Sequence, residues 1–246
     1  MDVADRIPQP LMGTPVQLVI LDLMGTLIND DGVVERAYGA ALAEAGLPDG
    51  SAEYEDAWKT IRSMAGRPTL DVLIAALEDP VRAEEATWAF DDRALHEVAN
   101  FEEIAGATEA LDSLAGEEIL LAVTTSFSPE VRKAALARLG WTERFAMTLS
   151  ARGPRRGHPA PDLLLEAILE LRVDSVSQVA IVGDNAADLE AGNRAGAGLV
   201  IGVRTGRAPQ AALQASPHTH LVDSVADVPH LLHEPRTTGQ RRASDA

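Results

Sequence analysis

Four short aliphatic runs constrain this chain more than any other feature: Val16 to Asp22, Ile119 to Thr124, Val179 to Gly183 and Leu199 to Val203. Each is too short for a typical helix, rich in Val, Ile and Leu, and lacks the apolar–polar alternation of a strand with one wet face. Runs of this kind suit strands buried on both faces, and such strands belong to parallel sheets covered by helices. A weaker candidate spans Phe145 to Leu149. Segments with helical spacing separate the runs. Ser128 before Pro129 supplies a cap residue followed by proline at the first helical position, and Pro161-Asp162 is expected to open Leu163 to Leu171 in the same way. The expected architecture is α/β, a doubly wound parallel sheet.

The alternation breaks between residues 32 and 100. Val33 to Ala45, Ala52 to Met64, Thr69 to Leu77 and Arg82 to Val98 all carry helical spacing, punctuated by Gly46, Gly66 and Pro80. No strand pattern interrupts them. This reads as a helical domain, 32–100, inserted after the first strand into a core made of 15–31 and 101–233. Residues 1–14 and 234–246 lack periodicity and read as flexible tails.

Composition narrows the function. At 246 residues the chain has room for one large domain with an insert, and 46% hydrophobic residues suit a globular core. Only 4% are aromatic, which leaves little for a base-stacking surface. With 21 basic against 38 acidic residues the formal charge is −17, so a phosphate backbone or an anionic membrane is a poor partner. No run is long and apolar enough to span a membrane, and the N-terminus has no signal-peptide pattern, so a cytoplasmic location is expected. Cysteine is absent, which removes thiolate chemistry, and Lys59 and Lys133 are the only lysines. A homodimer is compatible with all of this.

Chemistry concentrates at strand ends. Asp22 closes the first run and is followed by Leu23-Met24-Gly25-Thr26; Gly183-Asp184-Asn185-Ala186-Ala187-Asp188 closes a later one. In an open α/β sheet ligands sit beyond the carboxyl ends of the strands, so these acids can share a crevice. Facing carboxylates repel unless a cation lies between them, and an all-oxygen site suits Mg²⁺, which in turn suits a phosphate. Each aspartate alone could equally cap the next helix. Thr125-Ser126 follows another run and offers hydroxyl and N–H donors to a phosphoryl oxygen. His158 lies in the basic segment Arg155 to Asp162, which on composition alone reads as an exposed loop.

The ordered set Asp22 to Thr26, Thr125, Gly157 to Asp162 and Gly183 to Asp188 resembles the four motifs of the haloacid dehalogenase superfamily, over residues 16–232. It is most similar to the phosphonatase-like branch, near phosphonoacetaldehyde hydrolase, through Asp22 to Gly32 and Pro217 to Leu221. The resemblance implies a Rossmann-like core, a helical cap, Mg²⁺ and an aspartyl-phosphate intermediate formed from a small-molecule phosphate or phosphonate. It makes Asp22 the nucleophile and a metal ligand, and gives Met24 a metal contact through its backbone carbonyl. Gly25, Thr125 and Ser126 bind phosphate, Asp184 binds metal and Asp188 supports the metal site from behind.

Three positions depart from that pattern. Met24 stands where related phosphatases carry a general acid, a group that contributes about 10²–10⁴-fold. Thr69 stands where phosphonoacetaldehyde hydrolase has its imine-forming lysine, and Lys59, the one lysine of the insert, lies about ten residues away. His158 occupies the place of a catalytic Lys or Arg and matches its charge only when protonated, with Arg155 or Arg156 available to compensate. The leading expectation is a Mg²⁺-dependent hydrolase of small phosphates or phosphonates with easily expelled leaving groups. The alternatives are a metal-independent haloacid dehalogenase, against which Asp184 argues, and a non-catalytic phosphate-ligand-binding descendant.

Overall fold

The computed structural model describes residues 15–151 and 155–233, so the expected tails at 1–14 and 234–246 lie outside the described residues. The chain runs β1 (Leu18–Asp22), α1 (Val33–Glu44), α2 (Ala52–Ser63), α3 (Thr69–Leu77), α4 (Pro80–Glu97) and α5 (Ala107–Gly116). It continues through β2 (Leu120–Thr125), α6 (Pro129–Arg138), β3 (Met147–Ser150), α7 (Asp162–Glu170), β4 (Val179–Gly183) and α8 (Ala186–Ala195). It closes with β5 (Leu199–Val203), α9 (Gln210–Ala215), β6 (His220–Val222) and α10 (Val228–His233).

All strand pairs are parallel, in the order β3-β2-β1-β4-β5-β6. After β1 the chain adds β2 and β3 on one side and then β4, β5 and β6 on the other, which makes the carboxyl ends of β1 and β4 the point where a crevice opens. β1, β4 and β5 are near-continuous aliphatic strands because both faces are covered. One face, with Val19, Leu21, Leu121 and Val123, packs against α5 and α6 through Leu111, Leu114, Ala135 and Leu136. The other, with Leu18, Ile20 and Ile181, packs against α7 through Leu163, Leu164 and Ile168. Aliphatic burial at about 25 cal/mol per Å² is the main term holding these layers together.

Helices α1 to α4 share a second apolar cluster built on Tyr38, Trp58, Leu73 and Phe90. Phe127 and Val131, from the segment after β2, join it and seat the helical layer on the sheet. Local starts follow sequence chemistry. Ser51 caps α2 by accepting from Tyr54 N, Asp79 caps α4 ahead of Pro80, and Ser128 caps α6 by accepting from Val131 N. The expected parallel for α7 fails: Pro161 sits at its N-cap with no side-chain cap, and Asp162 is instead tied to Arg156. The three-residue β6 and the short α9 carry too little pattern to announce themselves in sequence.

Candidate active site

β1 and β4 are in-register neighbours, so the chain leaves both at the same edge of the sheet. Asp22 ends β1 and Asp184 follows Gly183 at the end of β4; Asp188 comes from the first turn of α8. Carboxylate oxygens of the three lie within 4.8 Å of one another. Asp184 and Asp188 are buried, while Asp22 keeps partial access to solvent. Burial, then repulsion from Asp188 and Asp184, pushes the Asp22 carboxyl well above the usual carboxylate range. The same two causes, burial first and Asp188 second, push Asp184 upward.

Asp188 does two jobs. Its Oδ2 accepts from Asn185 N at 3.3 Å while Asn185 Oδ1 accepts from Ala187 N and Asp188 N, a reciprocal box that starts α8. Its Oδ1 meets His158 Nδ1 at 2.8 Å. The helix-capping role open to these aspartates in sequence therefore belongs to Asn185 and Asp188, and Asp184 is left to the cluster.

His158 is 7% exposed, so the expectation of an exposed loop is corrected at this residue. Its Nε2 is buried with no hydrogen-bond partner among the described residues. Arg155 and Arg156 are exposed, as expected, but each has its own acid: Arg155 Nε lies 2.6 Å from Glu166, and Arg156 grips Asp162 through Nε and Nη2 at 3.0 and 2.7 Å. Neither is an unpaired cation waiting to replace a lysine.

Glycines let two loops close on the acids. Gly25 has φ +90°, where other residues are strained, and a Cβ there would lie 2.6 Å from Asp184 Oδ2. At Gly206, after β5, a Cβ would lie 1.7 Å from the same oxygen. Thr205 Oγ1 donates to Gly25 O at 2.7 Å and pins the two loops together. The sequence reading missed this third loop, although Thr205-Gly206 follows a strand end like the others. Met24 packs its side chain into both apolar clusters, that of the sheet and that of the helical layer.

The register separates two threonines. Asp22 pairs with Thr124 across β1 and β2, and in-register neighbours point to the same face. Thr125 alternates to the other face, where its Oγ1 accepts from Phe127 N at 3.2 Å. Thr124, in register with Asp22, is 1% exposed and Thr125 5%, so both hydroxyl-bearing residues lie buried at the end of β2. Ser126 lies beyond the strand, its carbonyl accepting from Thr69 Oγ1 at 3.5 Å.

A family model described as haloacid dehalogenase-like hydrolase matches residues 16–196, which contain the acids, both threonines and His158. The chain belongs to that family. Among curated relatives of this hydrolase, "Probable phosphatase IndB" of Dickeya dadantii (strain 3937) is 30% identical over 88% of this chain and 93% of its own. "Validoxylamine A 7'-phosphate phosphatase" of Streptomyces hygroscopicus subsp. limoneus is 29% identical over 73% of this chain and 82% of its own. The fold is shared with a phosphonoacetaldehyde hydrolase-like protein of Oleispira antarctica, at TM-score 0.74 and 22% identity, covering 90% of this chain and 92% of that one. The family and its phosphatase-named relatives make this chain a phosphatase-like hydrolase. No helix among the described residues is long and apolar enough to cross a membrane.

Proposed function

We propose that this hydrolase takes a phosphoryl group from a small phosphate or phosphonate onto Asp22, with Mg²⁺ held by the acidic cluster. The observation that carries the reading is the meeting of Asp22, Asp184 and Asp188 within 4.8 Å at the reversal point of the sheet. The donor set fits the metal: two carboxylates and the backbone carbonyl of Met24 are hard oxygen ligands, and Asp188 stands behind them. A divalent cation relieves the repulsion and burial that push Asp22 and Asp184 upward. When bound, Mg²⁺ supplies charge neutralisation and polarisation of a phosphoryl oxygen.

The chain's own residues carry the displacement. An Asp22 carboxylate oxygen bonds to phosphorus as the bond to the leaving group breaks, leaving an acyl phosphate on the protein. Water then displaces Asp22 from phosphorus, which releases inorganic phosphate and restores the carboxylate. Thr125, whose hydroxyl accepts from Phe127 N and keeps its proton to donate, holds a phosphoryl oxygen together with the N–H of Ser126; the N–H of Gly25, expected to join them, is already given to Ile28 O at 2.7 Å. His158 positions Asp188. Residues 32–100 act as a helical cap over a core of 15–31 and 101–233. Met24 carries no proton, so the leaving group departs most readily when it is weakly basic.

The test is phosphate release with and without Mg²⁺. Asp22→Asn keeps the shape of the side chain, removes the nucleophile and weakens a metal ligand, so release is expected to fall at least ~10³-fold with the fold intact by circular dichroism. Retained release in that variant removes the covalent route.

A further inference from the structure

A chamber of about 190 Å³ lies between the first turns of α3 and the segments that follow β2 and β3. Its wall joins Ser126 and Gly157, immediate chain neighbours of Thr125 and His158, to Thr69 and Thr87 of the helical layer. Thr69, Thr87, Ser126, Asp71, Arg155 and Arg156 supply its polar lining. Its size admits a small metabolite and falls below the usual range for drug-sized ligands.

The lining selects by charge and shape. Both guanidinium groups are already held, Arg155 by Glu166 and Arg156 by Asp162, so an anionic ligand would have to compete with those acids. A hydroxyl does not, because a guanidinium with five donors keeps N–H groups to spare. Asp71 is exposed and has no hydrogen-bond partner among the described residues. It accepts from hydroxyls and repels carboxylate or phosphate. Among the described residues no aromatic side chain lines the chamber, so a flavin or nucleobase finds no stacking face there. Thr69 and Thr87 are buried, and Thr69 already bridges the helical layer to Ser126 O at 3.5 Å.

We infer that the non-reacting part of the substrate is a neutral polyhydroxylated group, of sugar or cyclitol type, bound in this chamber with Asp71 as the specificity-determining acceptor. The inference rests on the hydrolase reading above. It also suits Met24: neighbouring electron-withdrawing hydroxyls make the departing oxygen less basic, which eases departure without a general acid.

The experiment measures kcat/KM for phosphate release by the full chain with Mg²⁺ on four compounds: a hexose phosphate, phosphoglycolate, FMN and acetyl phosphate. The hexose phosphate is expected to exceed phosphoglycolate and FMN by about tenfold or more, since a site built to pair hydroxyls discriminates at least that strongly. In Asp71→Ala the ratio of hexose phosphate to acetyl phosphate is expected to fall about tenfold. Equal or better use of phosphoglycolate or FMN overturns the inference, as does an unchanged ratio in the variant. Release from acetyl phosphate shows that the hydrolase reading survives such a failure. Its absence, together with silence on the other three, overturns that reading and the inference with it.

Discussion

At position 24 the chain places a thioether where a proton donor would ease departure of an alcohol. The structure gives the residue another task, since Met24 packs into the clusters of both layers. Met24→Asp is therefore expected to raise release from simple alkyl phosphates by up to ~10²-fold while lowering stability, because a carboxyl enters a half-apolar position. Initial rates and thermal melting of the variant check both halves; an intact variant with no gain would mean that protonation is limited elsewhere. Asp22 and Asp184 were legible because a polar residue ending an aliphatic run has few places to go except the edge of the sheet. His158 was not. Its burial comes from Asp188, thirty residues away, whereas composition sees only the neighbouring Arg155 and Arg156. The side-chain alternation that separates Thr124 from Thr125 becomes visible only in register with Asp22.

At the scale of elements, the helical layer is clamped where α1 meets the end of α4. Glu97 accepts from Arg36 Nε and Nη2 at 3.0 and 3.1 Å, and it also pairs with Arg93. The Arg36 hydrogen bonds hold its carboxyl below the usual range, with Asn100 and the Arg36 and Arg93 charges acting in the same direction. A depressed carboxyl stabilises the fold above its unfolded pKa of ~4.3, and that contribution is lost as pH falls through the lower folded value. Glu97→Gln is thus expected to cost about 1–2 kcal/mol near pH 7, with the gap from the parent closing below pH ~4. Urea unfolding across pH reads this directly, and a gap that stays constant with pH would remove the ion pair from the account. The four helices of the layer were legible because each sustains a 3.6-residue apolar period over nine residues or more. β6 has three half-buried residues and no such signal.

For the whole molecule, the doubly wound order does the decisive work by bringing acids 162 residues apart in sequence, Asp22 and Asp184, to adjoining strand ends. That arrangement costs stability until a cation joins it. In EDTA near neutral pH, Asp184→Asn is expected to be more stable than the parent by ~1 kcal/mol or more, since one buried like charge is gone. This corresponds to a rise of about 2–4 °C per kcal/mol for a chain of this size. Adding Mg²⁺ should raise the melting temperature of the parent and leave the variant nearly unmoved; equal responses would place the metal away from this cluster. The formation of an acyl phosphate on Asp22 is tested most directly by catching it. Protein quenched in acid during turnover of acetyl phosphate with Mg²⁺ and then reduced with borohydride should contain homoserine at position 22, read by peptide mass mapping. Rapid turnover with residue 22 recovered only as unmodified aspartate would contradict the account.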